Sequence, residues 1–168
     1  MFIIRWMLSG LNRQTLQHAA RTMVAATLSL AIASVLQLTE PQWAAISTIV
    51  VTQSTLGAAL MISSERFAGT ALGAVAAVLL GPHLESSLLV FAIGIFVLGV
   101  VCCMFHLDHA AYRFAGITLA IVVLGWKAGP IWRVALHRFI EVSLGILIGL
   151  VMTAVWPERD GQPAPRKP

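Results

Sequence analysis

Charge is what this sequence has least of. Asp, Glu, Lys and Arg together make up 11% of its 168 residues, against about 25% in an ordinary soluble domain. With 58% hydrophobic residues and a mean hydropathy of +0.87, most of the chain has no polar face to turn to water. The class that fits is a polytopic, all-α membrane protein in contact with a lipid bilayer. A clustered basic surface is missing too. The formal charge is +4 and the pI near 9.8, yet Lys and Arg stand singly at the ends of apolar runs. That pattern excludes a nucleic-acid partner and fits topology determinants. The two cysteines, Cys102 and Cys103, are neighbours inside an apolar run, a spacing that disulfide geometry rarely tolerates, and they read as small apolar fillers. A Ser-His-Asp set, a ligand cluster with metal spacing and a phosphate-binding loop are all lacking, so the reading is of no enzyme, no metal and no cofactor. His106 and His109, with Asp108 between them, read as a polar loop, and His18, His83 and His137 are isolated.

What is present is a series of apolar runs. Residues 1–21 mix Phe2, Ile3, Trp6 and Leu8 with Arg5, Arg13 and Gln17, which predicts an amphipathic segment lying in the membrane interface, with no cleavable leader. Residues 22–156 hold six runs, roughly Thr22–Leu38, Trp43–Ile62, Phe67–Gly81, Ser87–Phe105, Tyr112–Trp126 and Phe139–Trp156. Breakers separate them: Glu40-Pro41, a polar hinge at Ser63-Ser64-Glu65-Arg66, Gly81-Pro82, His106–His109 and Gly129-Pro130. Six transmembrane helices are predicted, the third and fifth a little short of the roughly 20 residues a span needs. Residues 157–168, rich in proline and charge, read as a disordered cytoplasmic tail. Placing both termini in the cytoplasm leaves only Lys127, Arg133 and Arg138 on the other side, in keeping with the positive-inside rule. The tryptophans fall at run ends, as in an aromatic belt.

A weak internal repeat runs through these segments. Arg66-Phe67 with Leu72-Gly73 aligns with Arg138-Phe139 and Leu144-Gly145, and Ala45-Ile46-Ser47 aligns with Gly116-Ile117-Thr118, at an offset of about 71 residues. Three runs per copy would make the copies inverted in the membrane, as in many secondary transporters. Arg66 then opens one helix on the cytoplasmic side and Arg138 opens its counterpart on the other.

The polar residues in these runs are the candidates for a substrate pathway. Arg66, beside Glu65 at the start of the third run, is either a snorkelling anchor or a cation at the mouth of an anion pathway. Arg113, flanking the fifth run, has the same two readings. Arg138 and Glu141 are three residues apart and share a helix face, either as a plain ion pair or with Glu141 as a proton-coupling group. Gln53, placed in the middle of the second run, either orients a carboxylate or bonds a neighbouring helix. The small-residue stripes Gly69/Gly73/Ala77/Gly81 and Gly145/Gly149/Thr153 allow close helix approach and predict that the third and last helices pack tightly, within one chain or across a dimer.

The string Pro41-Gln42-Trp43-Ala44-Ala45-Ile46-Ser47, followed by Arg66-Phe67, Gly69-Thr70 and Gly73, resembles the fusaric acid resistance and aromatic acid exporter superfamily. The closing Arg138-Phe139-Ile140-Glu141, Gly145 and Trp156-Pro157 fit the same pattern. The resemblance covers roughly residues 15–157. It implies a six-helix module of the bacterial inner membrane that exports aromatic or other small organic acids, as a homodimer or with a partner membrane protein. Six short helices are little material to enclose a pathway alone. The alternative is a non-transporting subunit or scaffold of a membrane complex, with the glycine stripes as docking faces.

Overall fold

The polar run Thr52–Thr55, rather than the charged run Ser63–Arg66, is where the chain breaks its second stretch of helix. In a computed structural model that describes residues 13–84, 88–125 and 130–157, the described residues form six α-helices and no strand. They are α1 (Arg13–Val35), α2 (Gln42–Val51), α3 (Leu56–Leu84), α4 (Leu88–Met104), α5 (His109–Leu124) and α6 (Ile131–Val155). Most of the N-terminal interfacial segment, Trp126, Lys127 and nearly all of the C-terminal tail lie outside the described residues.

Three expected boundaries move. Ser63, Ser64, Glu65 and Arg66 are helical, in the middle of α3. None of these residues bars a helix, and the Ser64 hydroxyl donates back to the Met61 carbonyl at 2.7 Å within the helix. Thr52 instead leaves the helical region at ψ 100°, and side chains of the Thr-Gln-Ser-Thr type compete with the backbone for its own hydrogen bonds. α3 also passes through Gly81-Pro82 to Leu84. α6 begins just after Pro130, not at Phe139, because proline supplies no N–H where a helix start needs none. Arg66, Arg138 and Glu141 are therefore well inside their helices.

Two chain reversals use left-handed residues that are not glycine. Gln37 (φ 52°) ends α1 and His106 (φ 54°) ends α4. At each, an N–H beyond the helix returns to a carbonyl five residues back, Leu38 to Ala33 at 3.1 Å and Leu107 to Cys102 at 2.9 Å, the Schellman closure of a helix end.

The packing is built on backbone-to-backbone approach. A Cβ at Gly73 would run into the Ala115 carbonyl oxygen and come within 2.8 Å of Thr118 Cβ. A Cβ at Gly145 would run into the Ala44 carbonyl oxygen and come within 2.6 Å of Ser47 Cβ. Gly69 sits against Ala111 and Phe114, and Gly149 against Thr48 and Val51. The glycine stripes thus seat α5 on α3 and α2 on α6. Gly81, at the far end of the first stripe, sits against Ile131 of α6, and α3 and α6 also meet through Phe67 and Phe139, with ring centroids 5.0 Å apart. A hydrophobic core of Ala77, Leu98, Leu119, Val122 and Ile131 joins α3 to α4, α5 and α6. Around this interior the outer surface is apolar: Phe96 is 72% exposed and Leu79 68%, while Arg21 and Glu141 are buried.

Candidate functional site

Arg138 and Glu141 lie one turn apart on the first half of α6, facing the segment that leads into α2, and they are 3% and 1% exposed. The Arg138 guanidinium carbon stands 3.4 Å from the centroid of the Trp43 ring, a cation–π stack in a desolvated setting. Glu141 Oε1 accepts the backbone N–H of Glu40 at 2.7 Å. Trp43 Nε1 donates to Glu40 Oε2 at 2.8 Å. The carboxylate of Glu141 is thus held by backbone, and Arg138 Nε and Nη1 are buried with no hydrogen-bond partner among the described residues. Glu141 and Glu40 are near enough to act on the Arg138 charge, but the arrangement is not the plain ion pair that the spacing allows. A cavity of about 430 Å³ adjoins the cluster. Thr39, Glu40, Arg133, His137, Arg138 and Glu141 supply its polar wall, and Ile121, Val122 and Val134 its apolar one. The wall thus carries two guanidinium and two carboxyl groups beside apolar side chains, and the unused N–H groups of Arg138 are the donors it could offer to an organic anion.

Arg66, on α3, is 6% exposed. Its Nη2 donates to Ser47 Oγ on α2 at 3.1 Å, and Ser47 Oγ in turn donates to the Trp43 carbonyl at 2.8 Å. The guanidinium lies 4.8 Å from the Phe114 ring of α5, and Arg66 Nε is buried without a partner among the described residues. Arg66 and Arg138 are close enough for their charges to act on one another. Neither is a snorkelling anchor.

The other sequence candidates fall elsewhere. Gln53 is not mid-helix: it sits in the break after α2, its amide donates to the Val50 carbonyl at 2.9 Å, and its own carbonyl is taken by Arg21. Arg113 is exposed on the first turns of α5, on the α3–α5 side near Glu65. Trp43 is half-buried as the stacking partner of Arg138, and Trp132 and Trp156 are exposed at the ends of α6.

Sequence reasoning missed Glu40, Trp43, Ser47, Phe114 and Arg21. Two of these had a signal. The alignment of Ala45–Ser47 with Gly116–Thr118, carried two residues upstream, sets Trp43 against Phe114, the rings that receive Arg138 and Arg66. Arg21 had none, since a lone arginine beside an apolar run looks like any topology determinant.

Among known proteins, the chain is 35% identical over 150 residues to the uncharacterized transporter YdhK of Escherichia coli K12, covering 84% of this chain and 22% of the relative. The Salmonella typhimurium LT2 protein of the same name is 33% identical, covering 84% of this chain and 22% of the relative. The uncharacterized transporter GOX0755 of Gluconobacter oxydans 621H is 29% identical over 145 residues, covering 78% of this chain and 20% of the relative. The chain therefore spans about a fifth of the length of these curated relatives. The sequence profile of the fusaric acid resistance proteins matches residues 15–167, nearly the whole chain, and the protein belongs to the Fusaric acid resistance protein family.

Proposed function

We propose that the chain is a six-span module of the bacterial inner membrane, with both termini cytoplasmic, that exports small organic acids, aromatic carboxylates among them. The observation that carries this is the Arg138–Trp43–Glu141 cluster on the cavity: a buried cation with unpartnered N–H groups, stacked on an aromatic ring, in a shell whose outer face is apolar. Charges inside and phenylalanine outside is the arrangement that a lipid solvent favours. Two helices, Thr15–Val35 and Ile131–Val155, are long and apolar enough to cross a membrane by themselves. The ten residues of α2 rise about 15 Å, half of a bilayer core of about 30 Å, as the broken helices of secondary transporters do.

The inverted repeat is part of the proposal. Arg66 over Phe114 matches Arg138 over Trp43. Gly73 against Ala115 and Thr118 matches Gly145 against Ala44 and Ser47. Phe67 and Phe139, equivalent in the two copies, meet each other. In this reading Arg138 and Arg66, near enough to act on one another, together attract the carboxylate, and Glu141 is the coupling group. Gln53 and Arg113 line the approach, and the module works as a homodimer or with a partner membrane protein.

The test is efflux of a benzoate-like acid from vesicles containing the purified chain. Arg138→Ala and Arg66→Ala each lower the flux at least tenfold, the loss of one charge-assisted contact of about 1.5–3 kcal/mol. Unchanged flux in the double variant overturns the assignment. The alternative reading is a non-transporting subunit or scaffold of a larger membrane complex, which the apolar outer surface would also suit. Co-purification with another integral protein and no flux alone would select it.

A further inference from the structure

The cavity belongs to one end of the bundle, and a residue outside the proposed anion site holds the other end together. Arg21 of α1 has no exposed surface. Its Nη1 donates to the Trp156 carbonyl at 2.9 Å and its Nη2 to the Gln53 carbonyl at 2.7 Å. Trp156 is the C-cap of α6, and Gln53 directly follows Thr52, the C-cap of α2. One buried cation therefore ties together the C-terminal ends of two helices, where carbonyls lack helical partners and the helix dipole is negative. The opposite end of α6 and the residues leading into α2 frame the cavity.

The proposed repeat says what lies under this tie. Val122 and Gly125, which line the cavity from α5, stand in the register of Val51 and Ser54. The counterpart of the cavity mouth is thus the break at Thr52–Thr55. That is the segment Arg21 grips through Gln53. Val51 and Thr52 are buried there, at 0% and 3% exposure, while Ser54 and Thr55 beside them are exposed. The helix equivalent to α1 is α4, whose sequence LLVFAIGIFVLGVVCCM contains no charged residue. That helix therefore has no cation of its own to match Arg21 at the cavity end.

We infer that Arg21 is the gate of this second opening: with both carbonyl bonds made the bundle is closed at the α2–α3 break, and their release admits water and solute there. The inference rests on the transport reading for its meaning, but its structural content can be read without any flux. Arg21 touches neither Arg138 nor the cavity wall, so its role is in positioning, not in binding the anion.

The experiment measures thiol labelling of the full chain in phospholipid vesicles by a membrane-impermeant reagent applied from the side of the α2–α3 break. The reporter is Thr52→Cys in a chain carrying Cys102→Ala and Cys103→Ala. Packing is monitored in a separate chain that keeps the buried Cys102 and carries Cys103→Ala. With Arg21 present the introduced thiol labels slowly. Arg21→Ala raises its labelling rate several-fold and leaves Cys102 protected. Arg21→Lys, whose single ammonium can hold one carbonyl more readily than two, gives an intermediate rate. Equal labelling with and without Arg21 overturns the gate, and so does a parallel rise at Cys102, which would make Arg21 a general packing residue. Altered labelling in a chain that moves no organic acid would preserve the gate and sink the transport reading instead.

Discussion

Glu141 illustrates how a single carboxylate can serve both the fold and the site. It is buried, accepts the Glu40 N–H at 2.7 Å, and lies one turn from the buried charge of Arg138. Glu141→Ala leaves an orphaned N–H and an uncompensated guanidinium, and removal of one partner from a buried charged set costs about 3–5 kcal/mol. Glu141→Gln keeps the acceptor and loses only the charge. The expected order of thermal stability in detergent is wild type, then Glu141→Gln, then Glu141→Ala, checked by the loss of the monodisperse chromatographic peak on heating. Equal melting of the two variants would mean that the hydrogen bond to Glu40 contributes nothing. That Glu141 and Arg138 would share one helix face was legible from their spacing inside an apolar run. That Glu141 would be engaged by the backbone at Glu40, leaving Arg138 to a ring, was not, because both contacts cross from α6 to the segment leading into α2, about a hundred residues away along the chain.

At the scale of the element, the glycine stripes were legible as close-approach surfaces, but their partners were not. A stripe states that a backbone can come near, not which one does. α2 receives Gly145 and Gly149, α5 receives Gly69 and Gly73, and both helices carry small residues at the contact, Ala44 and Ser47 in one and Ala111 and Ala115 in the other. The consequence is testable by methyl groups. Gly145→Ala and Gly73→Ala drive a Cβ into a carbonyl oxygen that no side-chain rotation can move, and overpacking of this kind costs about 1–3 kcal/mol each. Gly57→Ala, with nothing within 4 Å of the added methyl and a helical backbone, removes only glycine's entropy penalty and stabilises by up to about 1 kcal/mol. The three variants, ranked by melting temperature, check the assignment: a Gly145→Ala chain as stable as Gly57→Ala would contradict the backbone contact. The misplaced break has a different cause. Ser63–Arg66 and Thr52–Thr55 are equally conspicuous as polar interruptions, yet the former consists of residues a helix accepts, with arginine and glutamate among the good formers. Polarity located both, and only local backbone competition separates them.

The whole molecule is interlaced. Each half of the chain contributes a helix that packs in the other: α2 lies against α6 through Gly145, and α5 lies against α3 through Gly69 and Gly73. Thr48 reinforces the first contact, its hydroxyl 2.9 Å from the Gly145 carbonyl, and Arg66 adds a bond from α3 to Ser47 of α2. A half on its own would expose the glycine face of its longest helix and bury no counterpart to it, leaving Arg66 or Arg138 without its ring. Interlacing of this kind predicts that neither half is a folding unit, while the two together are. The natural place to divide the chain is between α3 and α4, which separates the two copies of the proposed repeat. Residues 1–84 and 88–168 expressed separately should be degraded or aggregate in detergent. Expressed together, they should co-purify as a monodisperse species, because association in a membrane depends on packing rather than on the link. A monodisperse, thermally cooperative 1–84 fragment would show that the halves are independent domains merely lying side by side. Recovery of the complex only when Gly73 and Gly145 are intact, and not with valine at both, would tie the assembly to the two crossed contacts rather than to general hydrophobicity.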